Sequence, residues 1–135
     1  MNFVSVRMIT GDIKRLVSFY ERVTGVRATW HTEDFAELST AGATLAIGST
    51  RTAALFALDA GQPAASAPVI VEFLVDDVDA AFRELAGVLG TVVQEPVTMP
   101  WGNRSLLFRD PDGNLVNFFT PVTPAAVEKF ARHAR

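Results

Sequence analysis

Pro100-Trp101-Gly102-Asn103-Arg104-Ser105-Leu106-Leu107-Phe108-Arg109-Asp110-Pro111-Asp112-Gly113-Asn114-Leu115-Val116-Asn117-Phe118-Phe119 reads as strand, tight turn, strand. Asp110-Pro111-Asp112-Gly113-Asn114 supplies the turn: proline fixes φ, glycine admits positive φ, and Asp and Asn side chains bond their own backbone. The flanks Ser105–Phe108 and Leu115–Phe119 are apolar and aromatic, as two paired strands require.

Upstream of this hairpin, Thr91–Glu95 gives a further strand. Val69–Val75 is another, followed by Asp77 as a helix N-cap. Val78, Ala81, Phe82 and Leu85 then form the apolar stripe of a helix that Gly90 ends. The beginning of the chain has the same plan. Phe3–Thr10 alternates, with Val4, Val6 and Met8 on one face and Phe3, Ser5 and Arg7 on the other. Gly11-Asp12 offers a turn and an N-cap. Ile13, Leu16, Val17, Tyr20 and Val23 fall at helical spacing, and Gly25 sits where a C-terminal glycine cap belongs. Arg27–His31, Phe35–Ser39 and Thr44–Gly48 follow as short strands, broken by Thr32-Glu33-Asp34 and Thr40-Ala41-Gly42. Asp12 to Gly25 and Asp77 to Gly90 span the same distance, so the halves superpose at one offset. That offset matches Ser5 with Ile70 and Arg7 with Glu72. Two β-α-β-β-β units make an internal repeat.

Repeat one covers about residues 3–48 and repeat two about 69–121. Between them, about 49–68 is rich in Ala, Ser, Thr, Gly and Pro and reads as a linker, interrupted by the apolar patch Leu55-Phe56-Ala57-Leu58. After repeat two, Thr123-Pro124 is an N-cap and first-turn pair. It opens a C-terminal helix over about 124–134 with Val127, Phe130 and Ala131 as its stripe. This tail is expected on the outside or on a partner subunit.

At 135 residues the chain reads as one domain, 1–135, with enough length for a real core. Its hydrophobic fraction of 49% and mean hydropathy of +0.23 suggest an apolar cavity or subunit interface besides the core. No apolar run approaches the ~20 residues that span a membrane, and no secretory leader is readable. The absence of cysteine excludes disulfides and thiol nucleophiles and fits a cytoplasmic location. A net charge of −3 argues against a nucleic-acid-binding surface.

Three motifs occur together: Asp12…Phe19-Tyr20…Gly25, Val75-Asp76-Asp77-Val78…Gly90, and Phe108-Arg109-Asp110-Pro111-Asp112-Gly113-Asn114. Over about residues 3–121 the chain resembles the vicinal oxygen chelate superfamily, which includes glyoxalases, extradiol dioxygenases and bleomycin-resistance proteins. The resemblance implies an α+β fold in which each repeat curls into part of an incomplete barrel, with the helices outside. It also implies a homodimer that completes two equivalent cups.

In metal-dependent relatives the ligands project from the first and last strands of each repeat, typically as histidine or glutamine and then glutamate. Carried over to this chain, those positions are Ser5, Ala46, Ile70 and Asn117. None is histidine or a carboxylate, and a divalent ion needs about three good N or O ligands. The histidines His31 and His133 lie far from these positions in the alignment. The expectation is no metal and no cofactor.

By alternation, Ser5, Arg7, Ile70, Glu72, Leu74, Leu115, Asn117 and Phe119 line the cup. Arg7 and Glu72 are pseudo-symmetric mates that either pair or clamp a polar ligand group. As a catalytic acid–base pair they are poorly suited, because arginine does not deprotonate and an arginine lowers a neighbouring glutamate's pKa. Pro100-Trp101-Gly102 followed by Arg109-Asp110-Pro111 resembles the equivalent segment of the metal-free bleomycin-resistance proteins, which sequester a peptide antibiotic. Trp30, Phe35, Phe56 and Trp101 are the aromatic candidates around the cup. The ordinary alternative is that they are core or dimer contacts. Asp76-Asp77, Asp110 and Asp112 are cap and turn residues rather than paired catalytic carboxylates.

The resulting expectation is a non-enzymatic binder of a planar, partly aromatic natural product. The ligand contacts would come from Ser5, Arg7, Trp30, Phe35, Phe56, Glu72, Trp101, Asn117 and Phe119. The alternatives are a lyase, isomerase or dioxygenase of the same superfamily, or an accessory protein of a biosynthetic pathway.

Overall fold

The computed structural model describes residues 3–56 and 69–133. Contacts divide the chain into two compact units, Met1–Ser66 and Ala67–Arg135. Each carries a four-stranded mixed sheet that stays open at both edges.

In the first unit, β1 (Ser5–Thr10), β2 (Thr29–Thr32), β3 (Phe35–Ser39) and β4 (Thr44–Ser49) take the order β1-β4-β3-β2. β1 runs parallel to β4 and pairs Arg7 with Ala46; β3 runs antiparallel to β4 and pairs Glu37 with Ala46. Helix α1 (Ile13–Thr24) connects the first two strands. The Asp12 side chain accepts from the Arg15 amide at its start, and Gly25 closes it at φ 72°, the left-handed conformation that favours glycine. α1 buries Ile13, Leu16, Val17, Tyr20 and Val23. Met8, Ala36, Leu38, Leu45 and Ile47 are buried on one face of the sheet, so Arg7, Ala46, Gly48, Phe35 and Glu37 occupy the other.

The second unit repeats the plan. β5 (Ile70–Leu74), β6 (Thr91–Thr98), β7 (Asn103–Arg109) and β8 (Leu115–Pro121) take the order β5-β8-β7-β6. Glu72 pairs with Asn117 across the parallel β5–β8 ladder, the counterpart of Arg7 with Ala46. Helix α2 (Val78–Leu85) is capped by Asp77, whose side chain accepts from the Ala80 amide. Phe118 meets Phe73 and Phe108 edge-on, with ring centroids 5.5 and 5.0 Å apart. Leu106 and Val116 are buried on the same face as Phe108 and Phe118. The hairpin between β7 and β8 is built as its sequence requires. Asp110 Oδ1 accepts from the Asp112 and Asn114 amides at 2.9 Å, and Gly113 sits at φ 89°.

The structure departs from the sequence expectations in four places. α2 ends at Leu85 rather than running to Gly90. Gly87 costs a helix about 1 kcal/mol relative to alanine, and the Val88 and Leu89 amides instead close turns onto the Leu85 carbonyl. β6 extends to Thr98 past Glu95, through two register shifts. Thr50–Phe56, expected as linker, forms a 3-10 helix. Asp34 anchors its start: the Ser49 hydroxyl donates to Oδ1 at 2.6 Å and Arg51 donates to the same atom at 3.1 Å. The remainder of that linker, including Ala57 and Leu58, lies outside the described residues.

The fourth departure is the tail. Helix α3 (Pro124–Phe130), capped by Thr123 and followed by a 3-10 turn at Ala131–His133, packs Phe130 on Phe119 at 5.0 Å. Phe119 lies two residues from Asn117 on β8, so α3 folds onto the face of its own sheet that carries Asn117. The ring contact holds the tail on its own sheet, while Val127 on the same helix is 51% exposed.

Candidate functional site

On the first sheet, the face opposite α1 gathers a layered cluster. The Arg7 guanidinium carbon lies over the Phe35 ring at 4.4 Å and over the Phe56 ring at 4.8 Å. The His31 ring stacks on Phe35 at 5.2 Å with an interplanar angle of 23°. His31 Nε2 and Glu37 Oε1 are hydrogen bonded at 2.7 Å. Each part follows from local structure. β1 carries Arg7, β3 carries Phe35 and Glu37 two residues apart, and the tight hairpin at Glu33-Asp34 returns β2 so that His31 reaches both. Gly48 and Thr52 hold the 3-10 segment close, since a Cβ on Gly48 would meet Thr52 Oγ1 at 2.6 Å. That close approach keeps Phe56 at the end of the segment over β1 and β4.

On the second sheet, the equivalent row is polar. Asn117 Nδ2 donates to Glu72 Oε2 at 2.8 Å. Asn117 is 8% exposed, and its buried Oδ1 has no hydrogen-bond partner among the described residues. Ser105 Oγ and Asn103 Oδ1 are likewise buried and unpartnered. Register places Ser105 beside Phe119 and Leu107 beside Asn117, so Ser105 and Asn117 share one face.

The residues expected to bind ligand therefore fall into distinct settings. Arg7, Phe35 and Phe56 are in contact, and so are Glu72 and Asn117. Ser5 lies on the same face as Arg7, paired with Thr44. Trp30 pairs with Ala36, the residue next to Phe35, so it belongs to the opposite face and does not join the Arg7 cluster. Trp101 is 64% exposed at the tip of the β6–β7 hairpin, where Gly102 at φ 95° makes the turn. Phe119 is buried against Phe130.

Two residues of the cluster were missed in the sequence. His31 is far from the family's ligand positions along the chain. Yet Glu37 is the direct neighbour of Ala46 in the ladder, and His31 is hydrogen bonded to Glu37. The register shift between Trp30 and Thr32 brings His31 beside Phe35 and Glu37, where regular pairing across the turn would set it opposite Ala36.

The positions that hold a metal in the resembled family do not suit one here. Ser5 and Asn117 are neutral donors, and Ala46 and Ile70 have none. Among the described residues, no group of three His, Cys, Asp or Glu side chains converges where it could hold an ion. His31 with Glu37 supplies two such groups, short of the set a divalent cation needs. Among the described residues no helix is long and apolar enough to cross a membrane.

Comparison with known proteins agrees with this architecture. A protein of unknown function from Agrobacterium tumefaciens str. C58 is 26% identical, with a TM-score of 0.75 over 90% of this chain and 95% of that one. A glyoxalase/bleomycin resistance protein/dioxygenase family enzyme from Burkholderia phytofirmans PsJN superposes with a TM-score of 0.78 at 19% identity, covering 90% of this chain and 100% of that one. A lactoylglutathione lyase from Agrobacterium tumefaciens gives 0.69 at 20% identity, covering 87% and 92%. At those two lower identities the likeness is one of fold. No match was found among curated proteins. The family profile described as Glyoxalase/Bleomycin resistance protein/Dioxygenase superfamily matches residues 2–118, nearly the whole repeat-bearing chain, and this protein belongs to that superfamily.

Proposed function

We propose that this protein binds, without transforming, a planar and partly aromatic natural product, and so keeps it from its target. A peptide antibiotic bearing thiazole, quinoline or quinoxaline groups is the class to test, with resistance or self-protection as the biological outcome. The observation that carries the reading is the cluster of Arg7, Phe35, Phe56 and His31. Flat side chains already layered on one another form a surface on which another flat group can stack at low entropic cost. The second unit, taken by itself, offers the hydrogen-bonded polar pair Glu72 and Asn117 and an exposed aromatic surface at Trp101. The donor set at the four family positions points the same way, since it leaves a protein-bound divalent ion without ligands.

Thermal shift and calorimetry against such antibiotics test this. A ligand at 100 times its Kd stabilises the folded state by about 2.7 kcal/mol. The rise in Tm should be dose-dependent, should disappear in Phe56→Ala, and should leave the ligand chemically unchanged on recovery. No stabilisation by any planar ligand would overturn the reading.

The His31–Glu37 hydrogen bond favours one second reading, a metal-independent enzyme of the same superfamily. A carboxylate that orients an imidazole is a common arrangement for general-base catalysis. Under that reading the recovered ligand is altered, and His31→Asn stops the change. In either case Zn, Ni, Mn or Fe ions should leave Tm unchanged, because an ion stabilises only through a site in the folded state.

A further inference from the structure

We infer that the ligand of the Arg7 cluster is an anion, specifically a planar aromatic carboxylic acid whose carboxylate meets the edge of the Arg7 guanidinium. This rests on the binding reading above and narrows it to a chemical class. A guanidinium has five N–H donors, all lying in its plane. Aromatic rings stack on its flat faces and leave those donors unspent. Arg7 lies over two rings, at 4.4 and 4.8 Å. Among the described residues its guanidinium makes no hydrogen bond and no ion pair. The nearest carboxylate along the row, Glu37, is engaged by His31 at 2.7 Å. Among the described residues no carboxylate takes the Arg7 fork, so two rings hold a charged group whose edge is open to an anion.

The geometry also selects the kind of anion. Guanidinium and carboxylate meet fork to fork in a shared plane. A carboxylate conjugated to an aryl ring is coplanar with that ring. An aromatic acid docked on the Arg7 edge therefore brings its own ring alongside those of Phe35 and Phe56, and His31, stacked on Phe35, extends that aromatic surface. A phosphate, being tetrahedral, or an aliphatic acid would use the charge and forfeit the stacking.

The test compares three probes of one shape by calorimetry: quinoline-2-carboxylate, quinoline-2-carboxamide and 2-(aminomethyl)quinoline. The wild-type protein should bind the acid at least tenfold more tightly than the amide, and the protonated amine most weakly. In Arg7→Met the acid-to-amide ratio should fall to about one, with circular dichroism unchanged because Arg7 is exposed. Arg7→Lys, which keeps the charge and loses the flat fork, should give an intermediate ratio. Equal binding of acid and amide by the wild type, or a ratio that survives Arg7→Met, overturns the inference while leaving the binding reading standing. Failure of all three probes, together with failure of the antibiotic panel, removes both.

Discussion

Asn117 spends its amide nitrogen on Glu72, and its buried oxygen finds no partner among the described residues. Ser105 Oγ is in the same position, on a residue only 1% exposed. A buried polar atom that loses its water and gains no partner costs about 1–3 kcal/mol. Both atoms sit on the face of the second sheet that carries Glu72, so the cost falls where the fold presents its polar row. Removing one of them should stabilise the protein. Ser105→Ala is expected to raise unfolding free energy by about 1 kcal/mol in urea titrations, with the m-value unchanged. A loss of stability instead would show that the hydroxyl has a partner in solution. Single residues were the least legible level of this chain. The strand position of Asn117 could be read from its place after Asp110-Pro111-Asp112-Gly113-Asn114, because that turn announces its own geometry. The importance of His31 could not, because it comes from a partner across a hairpin. Trp30 stood out by its size, yet the pairing of its neighbours puts it on the face away from Arg7.

At the level of elements, α2 is held to its sheet by more than its apolar stripe. Arg104 on β7 donates to both Asp79 carboxylate oxygens, at 2.8 and 3.0 Å. That fork holds the Asp79 carboxyl below its usual pKa, chiefly through the hydrogen bond and further through the charges of Arg104 and Arg83. The sign of the pH dependence follows. A carboxylate whose pKa is lowered by folding contributes stability that is fully present above its unfolded pKa, near 3.9. That contribution fades as pH falls through the lower folded value. Asp79→Asn should therefore lower Tm at neutral pH, and the gap from wild type should close as the solution is taken to roughly pH 2. Both side chains are partly exposed, so the effect is small and shrinks with added salt. A gap that persists at low pH would mean that the variant disturbs packing rather than charge. Elements were well marked in the sequence where a cap or turn residue is obligatory, as at Asp12, Gly25, Asp77 and Thr123. The 3-10 helix at Thr50–Phe56 was hidden because its anchor is tertiary: Asp34 reaches it from the β2–β3 turn.

On the scale of the whole molecule, the repeat has a consequence at its edges. β1 and β5 are pseudo-equivalent edge strands, and each is entered through exposed apolar residues: Phe3 and Val4 at 80% and 64%, Val69 and Ile70 at 54% and 51%. Natural edge strands are normally blunted by charge, proline or cover, and none of these four residues provides that. The same composition that gave the chain its high hydropathy is thus spent partly on surface at matching places in the two repeats, as an apolar interface requires. We propose that these entries bury against a second copy of the chain. Light scattering after gel filtration should then give twice 14.6 kDa. Val4→Lys and Ile70→Lys together should shift the species to a monomer without changing its far-ultraviolet dichroism, since each side chain is exposed in the single chain. The affinity of that variant for a planar ligand then decides how far the site depends on assembly. Affinity equal to the wild type would place the binding surface within one chain, on the Arg7 cluster. A loss of tenfold or more in the folded monomer would require a contribution from the partner. A wild-type protein that runs as a monomer at micromolar concentration would refute the proposed interface and leave the exposed edges to another partner.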